Sequence, residues 1–226
     1  GDNDIVHILK AVKNATQVSI QVDELERLCF KTRPREIRKG DTDKLYSAFQ
    51  KNVLNVNGSR EIKNLAEKTA EEIAGITVDM ESRPLKIGIV GEIYTTIDAY
   101  TNFEIQLKLG KMGAEVERSV TLSGWIIEHI LKKVIPIPRD LRYAEAAKPY
   151  LRTMIGEHAQ ETIGNAILYA KRGFDGVIQI YPLTCMPEIV AESILPSIER
   201  DFDIPILTLN IDEMTGETGY LTRIEA

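Results

Sequence analysis

Apolar positions along the chain change their period near residue 85. Before that point they recur at helical spacing: Val6, Leu9 and Val12; Val22, Leu25, Leu28 and Cys29; Leu45, Phe49, Val53 and Val56; Ile62, Leu65, Thr69 and Ile73. Stripes of this kind bury one face of a helix. Residues 4 to about 80 therefore predict an all-helical part without a strand. Its breaks fall at Thr32-Arg-Pro-Arg-Glu36 and at Lys39-Gly-Asp-Thr-Asp-Lys44, the latter ending in residues suited to a helix amino cap.

After a polar link over residues 79–84, short β-branched apolar runs alternate with helical patterns. Strands are predicted at 85–90, 114–120, 176–181 and 204–209, with helices near 98–112, between 123 and 172, at 187–202 and from 217. Strands separated by helices at this rhythm require right-handed crossovers and a parallel sheet. The expected fold class is α/β: a Rossmann-like or flavodoxin-like domain over residues 81–226, with four parallel strands ordered 2-1-3-4. A helical segment over residues 1–80 precedes it and reads as the continuation of a further domain. Gly113 and Gly173 are expected to end helices in the left-handed conformation.

The 226 residues, 43% of them hydrophobic, suit an ordinary globular protein. The net charge of −6 is uneven: residues 1–84 hold 14 basic and 14 acidic side chains, residues 85–226 hold 14 and 20. An acidic surface without clustered Lys and Arg excludes nucleic-acid binding. No apolar run approaches the roughly 20 residues that cross a bilayer, and no signal-peptide pattern opens the chain, so no membrane association and a cytoplasmic location are expected. The start at Gly1-Asp-Asn-Asp without methionine, and the stop within a helical pattern, suggest a part cut from a longer protein.

Candidate chemistry gathers at three strand ends, where open parallel sheets bind ligands. Gly176-Val-Ile-Gln-Ile-Tyr181 runs into Pro182-Leu-Thr184-Cys185-Met-Pro187, with Pro187 placed to open a helix. A helix amino terminus favours a thiolate, so Cys185 is either a functional thiol or a small buried hydrophobe. The run Gly88-Ile-Val-Gly91-Glu92 lacks the third glycine of a dinucleotide loop and sets a carboxylate where a pyrophosphate would sit, which argues against NAD. Glu92 is either a site carboxylate or a cap for nearby N–H groups. Asp212, Glu213 and Glu217 follow the last strand as caps or as ligands for a hard cation. These carboxylates and Cys185 should face one crevice. His158 could pair with Cys185 as a nucleophile's base, or bond locally at a helix start. Cys29 reads as core. Two cysteines cannot build a disulfide framework or a complete thiolate metal site.

Together, Gly88-Ile-Val-Gly-Glu-Ile-Tyr94, Asn102-Phe-Glu-Ile, Leu109-Gly-Lys-Met-Gly113, Gly156-Glu-His-Ala-Gln-Glu-Thr-Ile-Gly164, Gly173-Phe-Asp-Gly176, Thr184-Cys-Met-Pro-Glu-Ile-Val190 and Asp212-Glu-Met-Thr-Gly-Glu217 resemble the 2-hydroxyacyl-CoA dehydratase and benzoyl-CoA reductase family. The likeness is to its dehydratase-related branch in anaerobic bacteria and covers most of residues 80–226. The resemblance implies a four-iron, four-sulfur cluster in the full-length protein, a low-potential electron from an ATP-dependent activator protein, and a CoA thioester substrate reduced or dehydrated through a ketyl radical. By the family pattern it implies Cys185 as a cluster ligand and Glu92 as an acidic residue beside the site; with these, Glu92 and His158 are the catalytic candidates, and Tyr94, Asn102, Thr184 and Glu217 the substrate-binding candidates. A related second subunit or a homo-oligomer is also implied. The family's other cluster cysteines lie upstream, so the fragment alone is expected to be inactive. The alternative is an electron-transfer protein or activator partner without an acyl-CoA substrate.

Overall fold

The computed structural model describes residues 2–132, 141–153 and 155–225. They fall into two compact units: one holds residues 2–83 and 121–132, the other residues 84–120 and the described residues from 141 onward. Residues 121–132, which by sequence lie within the α/β part, thus group with the amino-terminal helices.

In the helical unit, α1 (Asp2–Thr32), α2 (Asp41–Val53) and α3 (Ser59–Ala74) pack around Leu25, Cys29, Phe49, Ala66 and Ile73. The first two apolar stripes form one continuous helix, since nothing between Val12 and Val22 breaks it. At the start of α2 no side chain of the Lys39–Lys44 break caps the helix; the buried Glu36 carboxylate does so instead. It accepts from the N–H of Gly40 (2.6 Å) and of Thr42 (2.8 Å), and from the Thr42 hydroxyl (2.7 Å). Helix α6 (Leu122–Ile126) runs on as a π-helical turn, Ile127–Leu131, and is held from two sides. Thr121 caps it through the Gly124 N–H, and the Asp23 carboxylate of α1 accepts from the Ser123 N–H at 2.8 Å.

In the second unit, β1 (Lys86–Gly91), β2 (Glu115–Arg118), β3 (Gly176–Pro182) and β4 (Ile206–Ile211) form one all-parallel sheet. Its order is β2-β1-β3-β4, as the sequence rhythm implies. This is a Rossmann- or flavodoxin-like α/β fold. The elements that complete it are α4 (Ile93–Ile97), α5 (Ile105–Lys111), α7 (Arg142–Ala147), α8 (Gly156–Lys171), α9 (Met186–Phe202) and α10 (Glu217–Glu225). Ala159, Ile163, Ala166 and Ile167 of α8 repeat at helical spacing, as do Ala191, Leu195 and Ile198 of α9. These stripes close with Val90 and Val177 into one buried core.

The helix expected near 98–112 is shorter. Residues 98–104 form a turn in which Asp98 accepts from the Thr101 N–H at 2.7 Å, and Phe103 and Glu104 take positive φ values of 53° and 55°. Strand β4 starts two residues later than expected, after Pro205, which has no N–H to give the ladder. Gly113 and Gly173 do take positive φ beyond their helices. Gly88 is needed for packing, because a Cβ there would stand 2.3 Å from the buried Tyr169 ring.

Candidate functional site

Strand β1 feeds β2 on one side, and the chain then crosses to β3 on the other. The order in which the chain adds strands reverses between β1 and β3, the place where folds of this kind open a crevice at the carboxyl edge. Cys185 and Glu92 leave the ends of these two adjacent strands.

Gly91 makes the turn out of β1. Its φ is +130°, and a Cβ would lie 1.9 Å from the Ile180 carbonyl oxygen, so no other residue fits. That same carbonyl accepts from the Glu92 N–H at 3.0 Å. Glu92 then caps α4, its Oε2 accepting from the Thr95 N–H at 3.0 Å, which is the local role weighed for it from sequence.

Cys185 is the amino cap residue of α9, with proline in the first turn, and its own N–H donates to the Pro182 carbonyl at 2.9 Å. The thiol is half-buried. Its pKa is raised, where the helix terminus was expected to favour the thiolate. Burial is the main cause; the Glu188 N–H opposes it, and the charges of Glu188 and Glu92 push the same way as burial. Glu92 and Cys185 are thus brought within electrostatic reach of each other.

Three residues into α9, the buried Glu188 was not singled out from sequence. Its carboxylate accepts from the Thr162 hydroxyl of α8 (2.9 Å) and from Gln179 Nε2 of β3 (2.8 Å). The Gln179 carbonyl in turn accepts from the Thr208 hydroxyl of β4 at 3.1 Å. Burial raises the Glu188 pKa to about 7; the two hydrogen bonds lower it, and Glu161 and Glu92 raise it further. The signal for this network was Gln179 itself, a polar side chain inside the apolar run of β3 that had to find a buried partner. Beside it, Tyr181 donates from a buried hydroxyl to Glu192.

The remaining sequence candidates divide. Tyr94 and Thr184 are exposed at the same edge. Asn102 is fully buried and spends its side chain on backbone groups: its amide donates to the carbonyls of Thr95 (3.0 Å) and Thr96 (3.1 Å), and its oxygen accepts from the Ile105 N–H. Glu217 is exposed and bonded to Lys108 at 2.6 Å. Asp212 shapes its own turn, accepting from the Met214 N–H and the Thr215 hydroxyl, and Glu213 is exposed. His158 lies in the first turn of α8, whose start abuts that of α9: a Cβ on Gly156 would meet the Pro187 ring at 2.4 Å. The His158 Nδ1 is buried without a hydrogen-bond partner, 3.9 Å from the Glu161 carboxylate. Among the described residues no hydrogen bond joins His158 to Cys185, and no group of three or more His, Cys, Asp or Glu stands close enough to hold a metal ion.

A shallow groove of about 640 Å³ lies in the helical unit, lined by residues including Ile37, Arg38, Asp41 and Leu45. Its Arg38 and Asp41 are bonded to each other, and it contains none of the sequence candidates.

Fold and edge define a Rossmann-like α/β unit with a half-buried thiol and two carboxyl groups at the switch point of the sheet. Compared with known families and curated proteins, the chain matches no family model and no curated protein.

Proposed function

We propose that the chain is the carboxyl-terminal part of an iron–sulfur protein related to the 2-hydroxyacyl-CoA dehydratases. In that reading it accepts a low-potential electron from an ATP-dependent activator for reduction or dehydration of an acyl-CoA. The supporting observation is the position of Cys185, half-exposed at the carboxyl end of β3 and beside the switch point. Cys185 supplies one sulfur, and the other ligands come from outside this chain. Among the described residues no other thiol is placed to join it, since Cys29 is buried in the helical core with its pKa pushed up to about 12, first by burial. Of the chain's own groups, the buried Glu188 has its pKa raised to about 7, chiefly by desolvation, and Glu92 orders the turn after β1 within electrostatic reach of the thiol. Tyr94 and Thr184 border the open side.

A second reading, an electron-transfer or activator-partner protein without an acyl-CoA substrate, is favoured by one observation. The edge segments 92–104, 183–192 and 212–217 contain no lysine or arginine, whereas the phosphates of CoA call for cations. Iron and acid-labile sulfide in the longer protein, purified without oxygen, test the cluster common to both readings. Calorimetric titration with a CoA thioester separates them: binding supports the first, and its absence from cluster-loaded protein supports the second.

A further inference from the structure

We propose that the carboxyl edge of the sheet docks a protein whose surface carries lysine and arginine around an apolar centre. This rests on the second reading above for which face is used, but it needs neither a cluster nor a thioester. Large apolar side chains stand in solvent in the segments that follow β1, β3 and β4, among them Tyr94 (61% exposed), Tyr100 (92%), Leu183 (51%), Met186 (66%) and Met214 (84%). Tyrosine and methionine are enriched at protein interfaces, and apolar patches ringed by polar residues mark them.

Charge decides what can cover this patch. The three edge segments hold eight carboxyl groups, including the buried Glu188, and no Lys or Arg. Of the neighbouring cations, Lys108 is bonded to Glu217, Arg118 ends β2, and Arg152 precedes α8. Such a face repels nucleic acid, anionic membranes and nucleotide phosphates. A second copy would set acidic edge against acidic edge. A basic surface with an apolar centre satisfies both the charge and the exposed side chains.

The test titrates the chain with a labelled leucine–lysine amphipathic helical peptide and with its leucine–glutamate counterpart, read by fluorescence anisotropy. Met186→Ser with Met214→Ser, and separately Glu213→Lys, should each weaken lysine-peptide binding by on the order of tenfold. Asp203→Lys, exposed ahead of β4 at the opposite, amino edge of the same sheet, makes the same charge change away from the face and should leave binding unchanged. Bound lysine peptide should also protect Met186 and Met214, but not Met112, exposed ahead of β2 at that opposite edge, from hydroxyl-radical oxidation. Failure to bind the lysine peptide, equal binding of the glutamate peptide, equal weakening by Asp203→Lys, or protection of Met112 alone would overturn the proposal. Iron analysis of the longer protein is independent of this binding, so a failed cluster and a failed docking face give different results.

Discussion

Replacing Glu188 by glutamine removes a titrating group from the interior while keeping its size. The carboxyl is fully buried, and its pKa is raised from the ordinary 4.5 to about 7, chiefly by desolvation. Because the folded-state value exceeds the unfolded one, the native protein binds the extra proton between these two pH values. Stability from this group is complete below about pH 4.5 and is lost as pH rises through about 7. At 1.36 kcal/mol per pH unit the loss comes to about 3 kcal/mol. A glutamine amide oxygen in the place of Oε2 can still accept from Gln179 Nε2 (2.8 Å) and from the Thr162 hydroxyl (3.1 Å), and the side chain cannot ionise. Urea unfolding followed by circular dichroism, from about pH 4.5 to about pH 8.5, measures the difference. The wild-type advantage should shrink by about 3 kcal/mol across the range, with the variant equal or more stable at the alkaline end. Parallel stability curves would refute the claim that Glu188 carries a buried proton.

Three further outcomes follow from the same structure. Gly91→Ala forces a side chain into a carbonyl oxygen 1.9 Å away at φ +130°, and should cost about 3 kcal/mol or more in chemical denaturation; a cost under about 1 kcal/mol contradicts the turn geometry. Glu36→Ala removes the acceptor for three donors at the start of α2 and should cost about 2 kcal/mol, with reduced hydrogen-exchange protection at Gly40 and Thr42. A disulfide reagent at neutral pH should label Cys185 more slowly than a free thiol, because burial raises its pKa, and should leave the buried Cys29 unlabelled until the chain unfolds. Equal labelling of both thiols in the native chain would contradict their placement.

What sequence could say depended on the range of the forces involved. The β-branched run from Gly176 to Tyr181 and the alternation around it were enough for four parallel strands in their observed order, because strand period and crossover handedness are local properties. The place of Cys185 at a helix start was legible through Pro187 for the same reason. Its raised pKa was not, since burial by distant chain outweighs the local helix terminus. Glu188 looked like an ordinary acidic residue in a first helical turn, while its partner Thr162 stands 26 positions away. Asn102 and Glu36 were hidden likewise: each spends its polar atoms on backbone groups exposed by a turn whose shape sequence pattern does not encode. Residues 121–132 join α1 through Asp23, a contact spanning 100 positions.

Cys185, at the switch point of the sheet, is proposed as a cluster ligand. The most direct test of that proposal is the iron and acid-labile sulfide content, with the electron paramagnetic resonance of the reduced state, of the longer protein purified without oxygen, beside its Cys185→Ala variant. About four irons and a reduced-cluster signal are expected in the parent, with both markedly diminished in the variant. A parent that stays free of iron after reconstitution, or a variant that keeps the full cluster, would contradict it.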